Sequence, residues 1–583
     1  MKALNKLLTG IAFLAAAAGT STVSAFQVDE TWNDFYFENA AQNRGLTFQI
    51  AKVQPEQHAV FVAYFTFDET SGEPFWVVGV GFIEAGEFSV DIPLSAYSGG
   101  SFGATLGSPV EDAGWGNMTI TFNSCNSISV DWASDNVTDG SLEMVNQVAL
   151  LGRGAALSKC VYQTEFTACP DGTTAAPGLE RTCILEGTYT QDLVLPNNAV
   201  YLLSGGVFIG DKDSGDNTNS LRIEPGTRIV GAIGETPLLG ISRGAKIYAQ
   251  GLPHAPIVFT GPNTFSQGGA AGDWGGLTIN GNAPLNECST PGCAQGEGGS
   301  GGYGGDDPND SSGVLEYVRV QYAGKLFTDE NELNGIAFQG VGRGTVVENV
   351  QVHANADDGV EFFGGTVNVR NIVLTDIGDD ELDWTQGWTG RVQNLLAIRT
   401  LNTTLSGDPR AIEGDNLSDN NDAEPRAKPW ISHATFIGIP ESDGAVIRRG
   451  SGANITNTIF TGADTCIDID SGATFTAAGT PAAPTGVLTF ENVIVGGCAT
   501  DFSDGEEGDP YLVSDFFRSS AFSGNMEMDP ALDGIFPPED ATYTSGFDIN
   551  MERFDPFFNN YDHIGAFPND KAPWTTGWAE FLP

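Results

Sequence analysis

The hydrophobic pattern of the first part of the chain is that of short strands. Across residues 26–160, apolar and polar positions alternate in brief runs that are separated by glycine-containing turns. Residues 59–67 and 75–80 form one pair of such runs, and residues 118–122 and 128–132 form another. Alternation on both sides of a turn is typical of β-hairpins. We therefore predict an N-terminal antiparallel β-module over residues 26–160.

A different pattern follows a linker over residues 161–180, which is rich in Thr, Ala, Pro and Gly. Short apolar runs then alternate with Asn and Gly corners and with acidic turns. Residues 347–362 align with residues 369–384 at a constant offset of 22. A repeat of this length, with runs too short for helices, is typical of a solenoid whose coils stack strand on strand. The pattern predicts an all-β solenoid of parallel strands over residues 181–583, with a C-terminal cap.

The start of the chain has the pattern of a signal peptide. Lys2 and Lys6 precede the apolar residues 11–18, and small residues come just before the expected cleavage point. Signal peptidase recognises this order of features. No later apolar run approaches the roughly 18 residues that a membrane span needs. We therefore predict a signal peptide over residues 1–25, no transmembrane segment, and a protein that is secreted to the exterior or the cell surface, with the periplasm as the alternative.

Export changes the interpretation of the eight cysteines. In an oxidising compartment, cysteines form disulfides more readily than metal sites. Eight cysteines allow 105 connectivities, so the sequence leaves the pairing open. Proximity along the chain favours four pairs: Cys125 with Cys160, Cys169 with Cys183, Cys288 with Cys293, and Cys466 with Cys498.

The charge of this acidic protein excludes several partners. The chain has 75 acidic and 26 basic side chains and a formal net charge of −49. Phosphate backbones and anionic lipids are repelled by such a charge, which excludes nucleic acid as a partner. Cations are the natural counter-species, and two loops carry oxygen ligands at close intervals, as calcium sites do. The candidate metal ligands are Asp211, Asp213 and Asp216 in one loop and Asp415, Asp419 and Asp422 in the other. Without calcium, these loops are solvated acidic turns.

The repeat also places acidic residues above one another. Stacked strands lie about 4.8 Å apart, so the offset of 22 puts Asp358 beside Asp380 and Glu361 beside Asp383. Crowded carboxylates raise one another's pKa or recruit a cation. Two carboxyl groups at short distance also catalyse glycoside hydrolysis. If the protein is an enzyme, Asp358, Asp380 and Asp383 are therefore its candidate catalytic residues.

Several motifs give the chain a family resemblance. They are residues 224–227 (EPGT), 272–277 (GDWGGL), 303–313 (YGGDDPNDSSG), 341–345 (VGRGT), 564–567 (IGAF) and 574–578 (WTTGW). With these motifs the chain resembles a poorly characterised family of exported bacterial proteins, the right-handed parallel β-helices of the pectin-lyase-like superfamily. Residues 64–68, 73–76 and 116–126 resemble a small β-rich module that is common in exported proteins of Gram-negative bacteria. The resemblance implies a right-handed parallel β-helix behind an N-terminal β-domain, and it implies no particular activity.

The acidic residues also have a partial likeness to β-helical polygalacturonase-type glycoside hydrolases. Those enzymes use an NTDG strand end followed one coil later by DD, and here residues 355–359 (NADDG) are followed by Asp379 and Asp380. The GHG and RIK motifs of that family do not occur downstream. A calcium-dependent polysaccharide lyase is the other enzymatic alternative, although few basic residues lie near these acids in the sequence.

Glycine and tryptophan mark further segments. Residues 296–305 are rich in glycine, and we expect a flexible excursion between coils there. Trp76, Trp115 and Trp132 of the N-terminal module either pack in its core or bind a ligand as exposed rings, and core packing is the simpler expectation. Five later tryptophans have rings that stack well on sugars, although the last two are expected to cover the open C-terminal end of the solenoid: Trp274, Trp384, Trp388, Trp574 and Trp578.

Two functions are consistent with these features. The first is an exported, calcium-stabilised β-helical surface or matrix protein that contacts polysaccharides or cell-surface glycans, as in adhesion and carbohydrate binding. The second is a polysaccharide-active enzyme, either a glycoside hydrolase or a calcium-dependent lyase, that uses the stacked carboxylates. The sequence favours the first, because most of the motifs that a catalytic site would add to these acids are missing.

Overall fold

The computed structural model describes most of the chain. The described residues are 28, 32–38, 45–54, 57–68, 71–84, 87, 89–98, 110–124, 127–145, 166–179, 181–233, 236–262, 269–327, 333–539, 541–543, 555–568 and 573–582. The predicted signal peptide, Cys125 and Cys160 lie outside them. The chain divides into two compact units: Met1–Ile184 with Pro196–Tyr201 and Pro225–Arg228, and Leu185–Leu195 with Leu202–Glu224 and Ile229–Pro583.

The first unit is a closed antiparallel sheet of eight strands. They are β1 (Asp34–Glu38), β2 (Gly45–Gln54), β3 (Gln57–Phe67), β4 (Pro74–Glu84), β5 (Ser89–Ser98), β6 (Val110–Ser124), β7 (Ser127–Ala133) and β8 (Gly140–Val145). Each strand pairs with the next, and β1 also pairs with β8, so the sheet closes on itself. Successive side chains of a strand point to opposite faces, and one face of each strand fills a core that includes Trp32, Tyr36, Phe48 and Phe122. The predicted N-terminal antiparallel domain is confirmed.

The regular secondary structure of the rest of the described chain also consists almost entirely of strands. Those strands are β9 (Thr174–Ala175), β10 (Thr182–Tyr189), β11 (Leu193–Leu195), β12 (Val200–Ile209), β13 (Ser220–Ile223), β14 (Arg228–Gly231), β15 (Leu238–Ile241), β16 (Lys246–Gln250), β17 (Ile257–Thr260), β18 (Leu277–Asn280), β19 (Ala294–Gly296), β20 (Gly301–Tyr303), β21 (Gly313–Gln321), β22 (Ile336–Gln339), β23 (Val346–His353), β24 (Val360–Phe363), β25 (Asn368–Thr375), β26 (Leu382–Thr385), β27 (Arg391–Ile398), β28 (Arg410–Gly414), β29 (Trp430–Ile437), β30 (Asp443–Ile447), β31 (Ala453–Thr461), β32 (Thr465–Ile469), β33 (Gly479–Thr480), β34 (Ala483–Pro484), β35 (Leu488–Val495), β36 (Thr500–Phe502) and β37 (Met526–Glu527). The helices are a 3₁₀ turn at Glu297–Gly299, α1 (Gly472–Ala478) and α2 (Val513–Phe517).

These strands wind into a parallel solenoid in which short and long strands form separate ladders. The short-strand sheet runs β18, β22, β24, β26, β28, β30, β32 and β36, each parallel to the next. The long-strand sheet runs β21, β23, β25, β27, β29, β31 and β35 in the same manner. Val360 pairs with Leu382, at the offset of 22 that the sequence repeat predicted. The predicted parallel β-helix is confirmed.

Asparagines bend several of the long strands at the same position of the coil. Asn349, Asn371 and Asn394 have φ angles of 56°, 58° and 62°, in the left-handed region that asparagine tolerates better than most residues. Their side chains form a ladder, because Asn371 donates to Asn349 Oδ1 at 3.0 Å and Asn394 donates to Asn371 Oδ1 at 2.8 Å. The repeated asparagines of the sequence therefore have both a conformational role and a hydrogen-bonding role.

Aromatic stacks fill the interior of the solenoid. The ring centroids of Phe338 and Phe362 lie 5.3 Å apart, and those of Phe362 and Trp388 lie 3.8 Å apart in nearly parallel planes. Trp274, Trp384 and Trp388 are completely buried. The expectation that these three rings stack on sugars is therefore wrong, because the apolar faces of the rings pack against other side chains of the core.

Disulfides join three pairs of cysteines. Cys169 is bonded to Cys183, Cys288 to Cys293, and Cys466 to Cys498. These three predicted pairs are confirmed. The proposed pair Cys125–Cys160 lies outside the described residues.

The C-terminal segment lies along a side of the solenoid instead of covering its end. Trp578 packs edge-on against Tyr317 of β21, with ring centroids 6.2 Å apart, and Gln351 of β23 donates to the Glu580 carbonyl at 2.7 Å. These strands belong to early coils, so the segment has turned back along the long-strand sheet. The last coil is packed instead against α2, where Phe517 contacts Phe490 and Phe502. The expected role of Trp578 at the open end is therefore wrong.

Candidate functional site

Acidic side chains project outward from the middle of the short-strand sheet. In each of β24, β26 and β28, alternate residues fill the interior and the residue between them points out. Glu361, Asp383 and Glu413 occupy that outward position, since Glu361 pairs with Asp383 and Asp383 pairs with Glu413 in the register of the strands. The predicted neighbours Glu361 and Asp383 are thus brought together, and Glu413 extends the row by one coil.

The turns that lead into these strands supply further carboxylates. The backbone N–H of Asp380 donates to Asp358 Oδ1 at 3.0 Å, so the two predicted residues lie on adjacent coils. The backbone N–H of Arg410 donates in turn to Asp380 Oδ1 at 2.7 Å. Carboxylate oxygens of Asp358, Glu361 and Asp383 all lie within 4.8 Å of one another, as do those of Asp357, Asp358 and Asp379. We call the first three residues, together with Asp380 and Glu297, the carboxylate cluster.

A long connection covers this cluster. Residues 281–312, which we call the cover segment, join β18 to β21 and contain the antiparallel pair β19–β20 and the disulfide Cys288–Cys293. Leu285 and Tyr303 of the segment pack with Ala337 and Phe363, which point out from β22 and β24. The cover segment therefore lies on the outer face of the short-strand sheet.

The glycines of the cover segment permit this close approach. A Cβ atom on Gly298 would lie 2.8 Å from side-chain atoms of Leu238 and Leu333, and one on Gly301 would lie 2.3 Å from the carbonyl oxygen of Lys212. Both glycines also have positive φ angles, of 59° and 100°. The expected flexible excursion is therefore a packed segment, and its glycine content reflects short distances to its neighbours.

The cover segment also brings a carboxylate of its own. Asn334 Nδ2 donates to Glu297 Oε2 and to Glu361 Oε2, both at 2.8 Å. Glu297 therefore reaches the same amide as Glu361, although the two residues are far apart in the sequence. Glu297 could not be recognised from the sequence, because it lies in an insertion between coils, where the repeat gives no register.

Burial dominates the electrostatics of the cluster. Asp358, Glu361 and Asp383 are 7%, 9% and 7% exposed. Loss of solvent raises the pKa of each of these carboxyl groups, and of Asp380, well above the ordinary value, and the neighbouring carboxylates raise it further. Burial also raises the pKa of Glu297 to about 8, with Asp357 as the next cause. Ionised and without a counter-charge, the cluster is therefore strongly unfavourable.

Arginines neutralise only one end of the acidic row. Arg410 Nη1 lies 2.8 Å from Glu413 Oε1 and 3.7 Å from Asp380 Oδ2, and Arg448 forms ion pairs with Glu413 and Asp415. In the part of the chain that the structure describes, no ion pair reaches Asp358, Glu361 or Asp383. The opposite end of the row is left for a proton or a bound cation.

The chemistry of this end fits a hard divalent cation. The ligand atoms are carboxylate oxygens from three side chains, the donor set that calcium and magnesium prefer. Asp383 Oδ1 is buried and has no hydrogen-bond donor, and a bound cation would satisfy it. These residues therefore suit a divalent metal.

The loops proposed as calcium sites from the sequence have other structures. Asp211, Asp213 and Asp216 are exposed, and Asp211 Oδ1 accepts the backbone N–H of Asp213 at 3.1 Å. In the other loop, Asp415 pairs with Arg448 and Arg449, Asp422 pairs with Arg426, and Asp419 is exposed. Among the described residues, neither loop brings three of these carboxylates within metal-binding distance of one another.

Comparisons with known proteins support the fold. Residues 187–519 match a family model described as a pectate-lyase-like β-helix domain, which is more than half of the chain and includes every residue of the carboxylate cluster. Neither the curated proteins nor the solved structures contain a significant match. Across the described residues, no helix has the length and apolar character needed to cross a membrane.

Proposed function

Since the chain belongs to the pectate-lyase-like β-helix family, we propose that it is an exported β-helical surface or matrix protein that binds calcium and contacts glycans. The fold and the three disulfides fit an exported protein. The observation that carries the calcium part of the proposal is the buried group of Asp358, Glu361 and Asp383, whose oxygens lie within 4.8 Å of one another. A divalent cation there would bind the three carboxylates in their ionised form, so that burial would no longer require them to be protonated.

Calcium has a structural role in this proposal. The cluster holds together three layers: the outward side chains of β24 and β26, the turns that precede these strands, and the cover segment. Asn334 already links Glu297 of the cover segment to Glu361 of β24. A cation bound beside that amide would join the same parts more strongly, because anything that binds only the folded state stabilises it by mass action.

Burial favours a structural cation over catalysis. Asp358, Asp380 and Asp383 are 7%, 3% and 7% exposed. A glycosidase needs two carboxyl groups that flank the scissile bond of a bound sugar chain, and side chains this buried make no such approach while the cover segment is in place. The predicted catalytic residues are therefore close together, but all three are buried.

Calcium titration of the full-length protein tests the proposal. We expect the melting temperature of the chelated protein to rise as calcium is added, and isothermal titration calorimetry to show saturable binding. Asp383→Asn should remove most of the binding, since it takes away a charged ligand that no arginine neutralises. Asp213→Asn in the exposed loop is the matched control and should bind as the wild type does. Equal binding by both variants would exclude the cluster as the site.

The alternative is a polysaccharide-active enzyme, and one observation favours it. Arg410 lies 3.7 Å from Asp380, so an acidic group and a basic group are adjacent, as a lyase requires. A panel of neutral and acidic polysaccharides, assayed for new reducing ends and for the ultraviolet absorbance of unsaturated uronates, separates the alternatives. Cleavage of any substrate that Asp380→Asn abolishes without lowering the melting temperature would replace the structural proposal with the enzymatic one.

A further inference from the structure

The N-terminal sheet has an apolar outer surface on β3 and β4 that the calcium site does not explain. Its outward positions are all apolar from Ala59 to Phe67 on β3 and from Pro74 to Phe82 on β4. Six of these side chains, which we call the aromatic face, are 43–60% exposed: Phe61, Phe65, Phe67, Trp76, Val80 and Phe82. A contiguous exposed apolar patch of this kind marks an interaction site.

The aromatic face has a regular geometry. Phe65 lies directly opposite Trp76, and Phe61 lies opposite Val80, in the antiparallel register of β3 and β4. Tyr97 of β5 stacks on Trp76 with ring centroids 6.1 Å apart. At about 3.4 Å per residue, the outward positions from Ala59 to Phe67 span about 27 Å. The face is therefore a long row of exposed apolar side chains, with the length that an extended ligand needs.

The core of the unit does not need these side chains. The inward positions of the same strands, among them Val60, Val62, Val77 and Ile83, are at most 1% exposed and fill the interior. The expectation that Trp76 packs in the core is therefore wrong, while Trp115 is buried as expected. An apolar ring that remains half exposed on a stable sheet is available for a ligand.

We propose that the aromatic face binds a neutral polysaccharide chain. This inference deepens the proposed function, on which its glycan part rests. Aromatic side chains offer flat apolar surfaces, and polar groups at the edges of such a site fix the orientation of the ligand. Gln49, which lies opposite Phe61 on β2, is exposed on one edge, and the Tyr97 hydroxyl donates to Glu111 at 2.9 Å on the other.

The charge of the protein decides between a neutral glycan and other occupants. The aromatic face offers no cation to an anionic polysaccharide, and a chain of net charge −49 repels one. The same repulsion opposes the association of two copies of this chain face to face. An uncharged sugar chain meets neither penalty, because its C–H surfaces pack on the rings while its hydroxyl groups remain in water.

Retention on insoluble polysaccharides tests the inference with the full-length protein. The probes are microcrystalline cellulose and chitin as neutral polymers, and covalently crosslinked polygalacturonate as an acidic one. We expect the wild type to be retained on at least one neutral polymer, equally in chelator and in high salt. Trp76→Ala and Phe65→Ala should each weaken retention about tenfold, the loss expected for one well-placed aromatic contact. Trp76→Phe should keep most of the binding.

Controls make the outcomes distinct. Leu401→Ala, which alters an 80% exposed side chain on the solenoid, should bind as the wild type does, and melting curves should show that all variants are folded. The inference is overturned if no neutral polymer retains the protein, if the face variants bind normally, or if light scattering shows a wild-type dimer that Trp76→Ala dissociates. Because these assays are run in chelator, their failure is separate from that of the calcium proposal, which is tested by Asp383→Asn.

Discussion

The stability of the calcium-free protein should fall as the pH rises, and Glu297 provides the measurement. Burial raises the pKa of this carboxyl from 4.5 to about 8 in the folded protein. Between these values the folded state holds a proton that the unfolded state has lost, so unfolding becomes more favourable as the pH increases. The contribution of the protonated group is fully present below about pH 4.5 and is lost above about pH 8.

The size of the effect follows from the same two values. Each tenfold change in an equilibrium constant is worth about 1.4 kcal/mol. A pKa of about 8 in place of 4.5 therefore makes ionised Glu297 unfavourable by about 5 kcal/mol. Such a change lowers the melting temperature of a large unit by roughly 5–10 °C.

The variant Glu297→Gln isolates this contribution. Glutamine keeps an acceptor for Asn334 and never ionises, so the chelated variant should melt at a higher temperature than the chelated wild type at pH 8, and at a similar temperature at pH 5. In calcium the order should reverse, because the wild type then has one more anionic group beside the bound cation. Asp213→Asn, an exposed loop variant, should shift neither comparison.

The assay is thermal unfolding followed by circular dichroism, at several pH values, with chelator or with calcium. A difference between the wild type and Glu297→Gln that stays constant from pH 5 to pH 8 would refute the reasoning, since it would show that the glutamate does not titrate inside the folded protein. A wild type that melts higher than the variant in chelator at pH 8 would do the same.

Three further predictions concern the packing around the site. Gly298→Ala should lower stability by about 1–3 kcal/mol and weaken calcium binding, because its Cβ would lie 2.8 Å from Leu238 and Leu333. Gly299→Ala, whose Cβ meets no atom within 4 Å, is the control for the strain of a positive φ. Equal losses of stability in the two variants would contradict close packing as the cause. Replacing both Cys288 and Cys293 by serine should lower the free energy of unfolding by about 2 kcal/mol, which is the loop entropy of so short a closure. The replacement should also reduce the calcium dependence of the melting temperature. An unchanged calcium response would mean that the cover segment does not depend on this disulfide for its position. Arg399→Met should lower stability by about 3–5 kcal/mol, because Glu381, 3.1 Å away and 1% exposed, would be left as an unpaired buried acid. In denaturant titrations, the double variant with Glu381→Gln should recover part of this loss. If it recovers none, the loss of stability comes from packing and not from the unpaired acid.

The repeat determined which acids become neighbours. An offset of 22 residues is one coil, so Asp358 and Asp380, and Glu361 and Asp383, could be paired from the sequence alone, and hydrogen bonds and strand register join them in the fold. The disulfide Cys288–Cys293 was equally accessible, since its cysteines are five residues apart. Contacts of this kind follow from the chain's local order.

The repeat could not reveal how deeply those acids are buried. Burial depends on the cover segment, which is an insertion without periodicity, and on Asn334, which connects Glu297 to Glu361. It also could not show that Trp388, in the turn between β26 and β27, stacks inside the solenoid while Trp76 is exposed, because the residue type alone does not tell what packs against the ring. Which face of a strand is covered is decided by the element that packs on it.

The sequence by itself therefore determined the class of the protein, a parallel β-helix with an antiparallel N-terminal domain and a row of stacked acids. Only the tertiary structure decided that these acids form a buried cluster that, within the described part of the chain, lacks ion-pair partners at one end. It also decided that the aromatic face of the N-terminal unit is exposed. The physical reason is that strand stacking repeats once per coil, so the spacing of residues in the sequence shows which of them stack. Solvent exclusion, by contrast, is produced by segments distant in the sequence, and it sets both the pKa values of the cluster and the exposure of the rings.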